Sequence, residues 1–483
     1  MAQTHTAIPI FGLGNPQRSP FLSSVERLNC IVEQTENGRQ HAAVLGLPGL
    51  VRHATPGETP IRGIFAKKGA LTFYLAVGGS VVVLAPNGTT QTIATLTTDS
   101  GPVWMDDNGT QLFINDGITP LIYTYSTGLS AIITDIDYQV GARGAVFLQG
   151  RFWVYTVSGS NAGRCYASDL YDGLSWNALN FITPAARPTG IVGIDRWAND
   201  LVIRGQGSVE WWSGAPTPIA GALGFQPSAP ANTQVGAVAE QGSGKVGQRY
   251  FFLGESDGTA GVFELVGYQA KKVSIPAVDD AMSRQSVPTA ICTGYMVNDH
   301  PIFQVTIPSE NPANAMTWIY DASTEEWSRR GSHGKPYYRG LMAAGTNSAV
   351  YITDAFSGNL YKMVEHAYDE DGEVMEYEVT SLHLLQEGDG FAIDKIQIDM
   401  ETGLGNPIPP GDIPHGVLQV SKDGGHTWAI ERYPDLGKMG RYTMRAQEHQ
   451  FGWARDFAVR FRITDPIPRR VSGAYLTLNA GFA

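Results

Sequence analysis

A short apolar run closed by a turn returns along almost the whole chain, and it constrains the fold more than any other feature. LTFYLAV (71–77) turns through Gly78-Gly79 into SVVVLA (80–85). QLFIND (111–116) leads to LIYTYS (121–126); RFWVYTV (151–157), DLVIRG (200–205), RYFFLG (249–254), PIFQVTI (301–307) and AVYITD (349–354) follow. The runs are rich in Val, Tyr, Phe and Trp, which suit a pleated, buried surface, and Gly, Asn or Asp between them supply the turns. Strands that recur this way, with almost no helical period, predict a β-propeller or related all-β array. Strand clusters fall near 63–96, 101–134, 142–157, 187–213, 235–275, 289–330 and 337–363, so six or seven blades are expected.

Three regions follow from the density of these runs. Residues 1–62 carry GLPGL (46–50) and HATPGETP (53–60) and read as an extended N-terminal arm with few strands. Residues 63–365 form the propeller. Within it, IPAVDDAMSRQ (275–285) has helical character, with Pro276 suited to a first turn and Asp279 and Asp280 to a helix N-terminal region. Residues 366–483 open on the acidic turn HAYDEDGEVMEYEVTS (366–381) and continue with AIDKIQIDM (392–400), HGVLQVSKDG (415–424), DFAVRFRI (456–463) and AYLTLNA (474–480). Leu418 and Val420, and Phe457, Val459, Phe461 and Ile463, keep the period of two of a half-buried sheet. A β-sandwich-like C-terminal domain is therefore expected.

At 483 residues the chain has room for two or three domains. Its 56 glycines and 28 prolines fit a turn-dense β protein. A net charge of −12 argues against a protein that coats nucleic acid, which needs a basic face to displace counterions. It leaves room for a conduit, because a wall with the sign of phosphate does not hold DNA. Cys30, Cys165 and Cys292 stand apart, with neither a disulfide framework nor zinc spacing, as expected for assembly in a reducing cytoplasm. No signal peptide is expected at MAQTHTAIPIFGLGNP, and no run reaches the length of a membrane span.

The sharpest local motif is SKDGGHTW (421–428), which fits the Asp-box pattern through Ser421, Asp423, Gly425, Thr427 and Trp428. One reading is a glycosidase; the other is a folding turn, with Asp bonding turn backbone, Gly taking positive φ and Trp packing beneath. The turn is preferred, because a single box lies outside the repeats. Glycosidases need two carboxylates across a cleft. The adjacent pairs Asp106-Asp107, Asp279-Asp280 and Glu325-Glu326 read instead as solvated charges at turns or helix starts. DEDGE (369–373) lacks the frame of a calcium loop. EQGSGKVG (240–247) has Ala239 and Val246 where a phosphate loop needs Gly and Ser or Thr, and GLGNP (12–16) has no strand before it. His41, His53, His300, His333, His366 and His426 sit in turn-like stretches and read as single surface histidines. No catalytic, cofactor-binding or metal-ligating residue is assigned, and no cofactor is expected.

Longer phrases carry a resemblance. They are LNCIVEQTENGRQHAAVLGLPGL (28–50), YASDLYDGLSWNALNF (166–181), GIVGIDRWANDLVIRGQGSVEWWSG (190–214), HPIFQVTIP (300–308) and TWIYDASTEEWSRR (317–330). In this order the chain resembles the tail hub, or nozzle, of short-tailed bacteriophages, the packaged-DNA stabilisation proteins. The resemblance runs from about residue 20 to 365, with a looser match beyond. It implies a non-enzymatic virion tail protein, assembled in the host bacterial cytoplasm as a homohexameric ring. Such a ring closes the filled head below the portal and its adaptor ring. It carries fibres or spikes and the tip or needle, and lets double-stranded DNA leave without sequence-specific binding. Two rivals stay open at this point: a carbohydrate-active or carbohydrate-binding propeller, from the Asp box, and a protein-binding propeller of cellular origin.

Overall fold

The computed structural model describes residues 4–8, 14–18, 25–34, 42–184, 190–214, 224–346, 349–385 and 390–480. His41 and Gly12 of the GLGNP stretch lie outside the described residues.

Among the described residues, seven antiparallel units follow one another in chain order, each of four strands except the fifth, whose innermost strand is split in two. Blade 1 runs from Ile61–Ala66 to Thr90–Thr95, blade 2 from Trp104–Asp107 to Leu129–Ile132, and blade 3 from Arg143–Leu148 to Asp172–Ile182. Blade 4 runs from Ile191–Trp197 to Phe225–Thr233, blade 5 from Gly236–Ala237 and Ser243–Val246 to Gln269–Lys272, and blade 6 from Ile291–Val297 to Glu326–Arg329. Blade 7 takes Gly340–Thr346, Ala349–Asp354 and Leu360–Val364 from one end of the chain and its outer strand, Gly49–Ala54, from the other. That pairing closes the ring non-covalently. The innermost strand of blade 1 touches those of both blade 2 and blade 7, so the circuit is complete.

The apolar runs are continuous because blades pack face to face. Phe73–Val77 and Arg151–Tyr155 are buried at every position, as strands covered on both faces must be. A separate cluster fills each gap. Phe113, Ile122, Phe152 and Trp176 lie between blades 2 and 3; Phe251, Phe303, Tyr320 and Trp327 between blades 5 and 6; Ile61, Phe73, Tyr351 and Leu360 between blades 7 and 1. Near the axis there is little room. A Cβ on Gly294 would sit 2.3 Å from the Lys245 carbonyl oxygen of the neighbouring blade. The expected helix is present as Pro276–Ser283, with Pro in its first turn and Val278 and Met282 buried.

The second body is a sandwich. One sheet orders Cys30–Gln34, Ala42–Gly46, Arg470–Ala480, Phe391–Met400 and Ala446–Ala454, and Thr4–Ile8 pairs with Arg470–Ala480. The other contains Tyr377–Thr380, Asp456–Ile463, Val417–Ser421 and Leu384–Leu385. Cys30, Val44, Ile393, Ile396, Leu418, Phe457 and Phe461 meet in its core. The chain thus begins in the sandwich, traverses the propeller and returns. No described helix is long and apolar enough to cross a membrane.

Candidate functional site: the blade seam and the domain junction

Charged side chains in the propeller channel lock blades together. Arg204 of blade 4 reaches Asp195 Oδ2 at 2.9 Å and the carbonyls of Ala239 and Glu240, between the two inner strand segments of blade 5, at 3.0 Å each. Asp195 also accepts from Ser243 Oγ at 3.0 Å and Tyr250 OH at 2.6 Å. Tyr155 of blade 3 donates to Glu240 Oε1 at 2.6 Å, and Arg143 pairs with that carboxylate at 3.2 Å. Burial opposes ionisation of Asp195, but Arg204, Lys245 and the hydrogen bonds from Tyr250 and Ser243 outweigh it and hold its carboxyl below the usual range. Lys245 moves the other way: enclosure by the ring pushes its ammonium below the usual lysine range, although Asp195 partly offsets this. Trp104, Tyr155, Asp195, Arg204, Glu240 and Met342 help wall a cavity of about 150 Å³. Asp195, Arg204 and Glu240 are already engaged by protein groups, so the network joins blades.

Two expectations are corrected here. His300 is buried, not a surface histidine. It heads the second strand of blade 6, and Asp321, at the end of the adjacent third strand, meets it: Nδ1 lies 2.6 Å from Asp321 Oδ2. That hydrogen bond raises the imidazole above its usual range against the effect of burial. Ser323 Oγ faces the same Nδ1 at 3.1 Å. Nucleophilic catalysis needs the hydroxyl on one ring nitrogen and the carboxylate on the other, so this Ser-His-Asp group is a structural clasp. The adjacent carboxylates are not simply solvated either. Asp279 is buried and pairs with Lys272 at 2.7 Å and Ser274 Oγ at 2.6 Å. Asp106 accepts from the Phe147 amide at 2.7 Å, and Glu326 is buried against Arg27. Neighbours on a strand point to opposite faces, so Asp106 turns toward the Phe147 amide, while Asp279 lies on the buried side of the helix Pro276–Ser283.

The 421–428 segment follows the strand Val417–Ser421 as a turn. Ser421 Oγ donates to Asp423 Oδ1 at 2.7 Å and accepts from the Gly425 amide at 2.8 Å. Asp423 Oδ1 accepts from the Thr427 amide at 2.9 Å and Oδ2 from Thr427 Oγ1 at 2.5 Å. Gly425 has φ +86°, and the Arg460 guanidinium lies 4.2 Å over Trp428. Hydrogen bonds from Thr427, then Ser421, hold the Asp423 carboxyl far below the usual range. It is an acceptor within its own turn.

The junction between the two bodies was not anticipated. The outer strand of blade 6 pairs in parallel with Arg27–Leu28, which pairs with Tyr377–Thr380, so one sheet runs from propeller into sandwich. Arg27, buried, meets Glu326 Oε2 at 2.6 Å and the Gly14 carbonyl at 2.7 Å. Asn29, at φ +56°, donates to the carbonyls of Gly331 at 2.9 Å and Glu376 at 2.8 Å. On the blade 7 side, Asp369–Glu370 bridges to Gly49–Ala54, and Arg339 pairs with Asp354 at 3.1 Å and Glu373 at 3.2 Å. Burial raises Glu370 to about 7, with Arg330 and Arg339 pulling the other way. DEDGE is the hairpin Asp369–Glu370 to Glu373–Val374, with Asp371 paired to Arg52. No described His, Cys, Asp or Glu residues group as metal ligands. A lone Arg in a polar stretch gives no signal of such pairing; only its partner, some 300 positions away, explains it.

A closed propeller that shares one sheet with a sandwich, with Arg204, Asp195 and Glu240 used to join its own blades, has the build of a structural scaffold protein. The family profile described as "Bacteriophage P22 Gp10, beta-propeller" matches residues 6–368, and that described as "Bacteriophage P22 Gp10, beta-sandwich" matches residues 376–479. The chain therefore belongs to the phage P22 Gp10 family of packaged-DNA stabilisation proteins and is a structural component of the virion tail. No curated protein matches the chain. Among solved structures it is similar to the extracellular domain of a putative hybrid two-component system, BT4673, from B. thetaiotaomicron (8% identity, TM-score 0.43, 74% of this chain and 45% of that one). The computationally designed Ika8 protein aligns at 12% identity and TM-score 0.39, over 75% of this chain and 97% of that one. PorZ, a surface component of the type-IX secretion system of Porphyromonas gingivalis, aligns at 13% identity and TM-score 0.38, over 80% and 46%. The chain spans about half the length of the first and third of these structures.

Proposed function

We propose that the protein is the tail hub: a homohexameric ring that closes the DNA-filled head below the portal and its adaptor ring. It holds fibres or spikes at its flanks and the tip at its centre, and it is the conduit for DNA ejection. The observation that carries this reading is the family match across both bodies of the chain. The fold is consistent with a mechanical task. Seven blades closed by one borrowed strand resist deformation, and loops at both rims are free for partners. On this reading residues 63–365 supply most of the stiff block and 366–483 most of the second body, while strands from 1–62 complete both. Assembly takes place in the host cytoplasm, consistent with three free, buried cysteines. DNA passes without sequence readout, and the net negative charge supports sliding over sticking.

The reading is non-enzymatic. The single Asp box spends Ser421, Asp423 and Thr427 on its own turn, and this removes the main support for a carbohydrate-active alternative. Imaging of intact particles with the chain labelled tests the proposal. A sixfold ring between adaptor and tip is expected; label confined to the capsid shell would rule it out.

A further inference from the structure

A closed ring of identical subunits needs two different, complementary patches on each chain. The rim of blades 2 and 3 is unusually apolar for a free surface. Ile136 is 96% exposed and Val140 88%, in the loop between these blades, and Leu129 and Ile132 are exposed on the outer strand of blade 2. Leu179, on the outer strand of blade 3, is also exposed. The same segments, 129–142 and 167–182, carry the half-buried Asp135, Asp137, Asp169 and Asp172 and no Lys or Arg of their own. Arg151 lies 3.9 Å from Asp169 and Arg164 stacks on Phe181, so the acidic excess rests on Asp135, Asp137 and Asp172.

The sandwich carries the opposite combination. Segment 437–445 contains Lys438, Arg441 and Arg445 and no acid. All three are exposed, and none forms an ion pair among the described residues. Between them Met439 and Tyr442 are 58% and 68% exposed. The sandwich joins the propeller at blades 6 and 7. Blades 2 and 3 stand across the ring from blade 6, where the sandwich is attached.

We propose that these two patches meet: the acidic, apolar rim of blades 2 and 3 of one copy docks on the basic, apolar 437–445 loop of the next. The occupant is a second copy, because each patch supplies the charge the other lacks. Apolar contacts at the centre with opposite charges around them have the composition of a protein interface. This inference rests on the ring reading and assigns the surfaces that build it.

The test uses the full-length chain, in tails released from particles and in mass photometry of the purified protein. Asp137→Lys with Val140→Lys should cut ring assembly about tenfold or more, as like charges set face to face do. Lys438→Glu with Arg441→Glu and Arg445→Glu should do the same. Chains carrying all five changes should assemble again, and that rescue excludes misfolding as the cause. Val140→Ser with Met439→Ser, which changes no charge, should weaken assembly without abolishing it. Wild-type assembly by either charge set alone would overturn the assignment while leaving the ring intact. So would a whole ring that has lost a different tail protein, which would make the patch a dock for that protein. Particles with no ring of this chain would remove the hub reading itself.

Discussion

Arg27 offers the most direct test of how the two bodies are joined. Its side chain is fully buried and faces Glu326 Oε2 at 2.6 Å, the Gly14 carbonyl at 2.7 Å and Ser328 Oγ at 3.4 Å. Arg27→Met removes the cation and keeps much of the volume. Glu326 then stays buried, with the Gly14 amide at 3.1 Å still donating to it. Breaking one partner out of a buried ion pair costs about 3–5 kcal/mol, because the remaining charge is desolvated without compensation. Removing both charges, in Arg27→Met with Glu326→Leu, should recover most of that loss, since buried pairs contribute little net stability over apolar groups of similar volume. The assay is hydrogen exchange at the amides of residues 27–28 and 377–380, which reports opening of this strand set even where the propeller unfolds separately. A single variant costing under about 1 kcal/mol, or a double variant as unstable as the sum of the singles, would refute the argument.

Three further outcomes are expected. The His300–Asp321 clasp should support blade 6 only within a pH window. The histidine is raised, so its contribution is full below about 6.5 and lost as pH rises through its folded value. The aspartate, lowered by His300 and Ser323 against burial, loses its contribution as pH falls below about 3.9 through its folded value. His300→Phe should flatten the alkaline limb of a melting-temperature profile; an unchanged limb would exclude the clasp. Glu370, raised to about 7, should withdraw stability as pH climbs from about 4.3. Glu370→Gln should match wild type near pH 4 and exceed it at pH 8, by at most about 4 kcal/mol, and equal stability at both would contradict the burial argument. Asp423→Ala should lower the melting point of the sandwich and leave assay of sialosides or polysaccharides at background; an enzyme activity lost with unchanged melting would reverse the reading of that turn.

Much of the propeller was legible in the sequence because its blades are local. Hairpins such as 71–85 pair residues a few positions apart, and turn chemistry marks where they fold back. The expected clusters span blades 1, 2, 5 and 6 out to their outer strands and fall short in blades 3, 4 and 7. In blade 3 the third and fourth strands, Cys165–Asp169 and Asp172–Ile182, lie beyond the expected 142–157. Asp172–Ile182 alternates apolar and polar residues irregularly, because one face meets solvent, and a bulge interrupts its register. Ala446–Ala454 lacked a strand signal for a similar reason: AQEHQFGWA is half polar and buried only at Ala446, Phe451 and Ala454. The 421–428 turn was visible because every group it uses lies within eight residues. The inward turn of Asp279, Glu326 and His300 was not, since nothing local distinguishes a charge that will be buried from one that will be solvated.

Residue order alone determined the all-β class, the repetition and the hairpin turns, because these depend on contacts between neighbours in sequence. Tertiary structure decided that Gly49–Ala54 completes blade 7, that Arg27–Leu28 splices blade 6 to the sandwich, and that Arg204 spans two blades. Those pairings join residues tens to hundreds of positions apart. Their free energy comes from burying partners together, and a partner can be recognised only once the chain has brought it near.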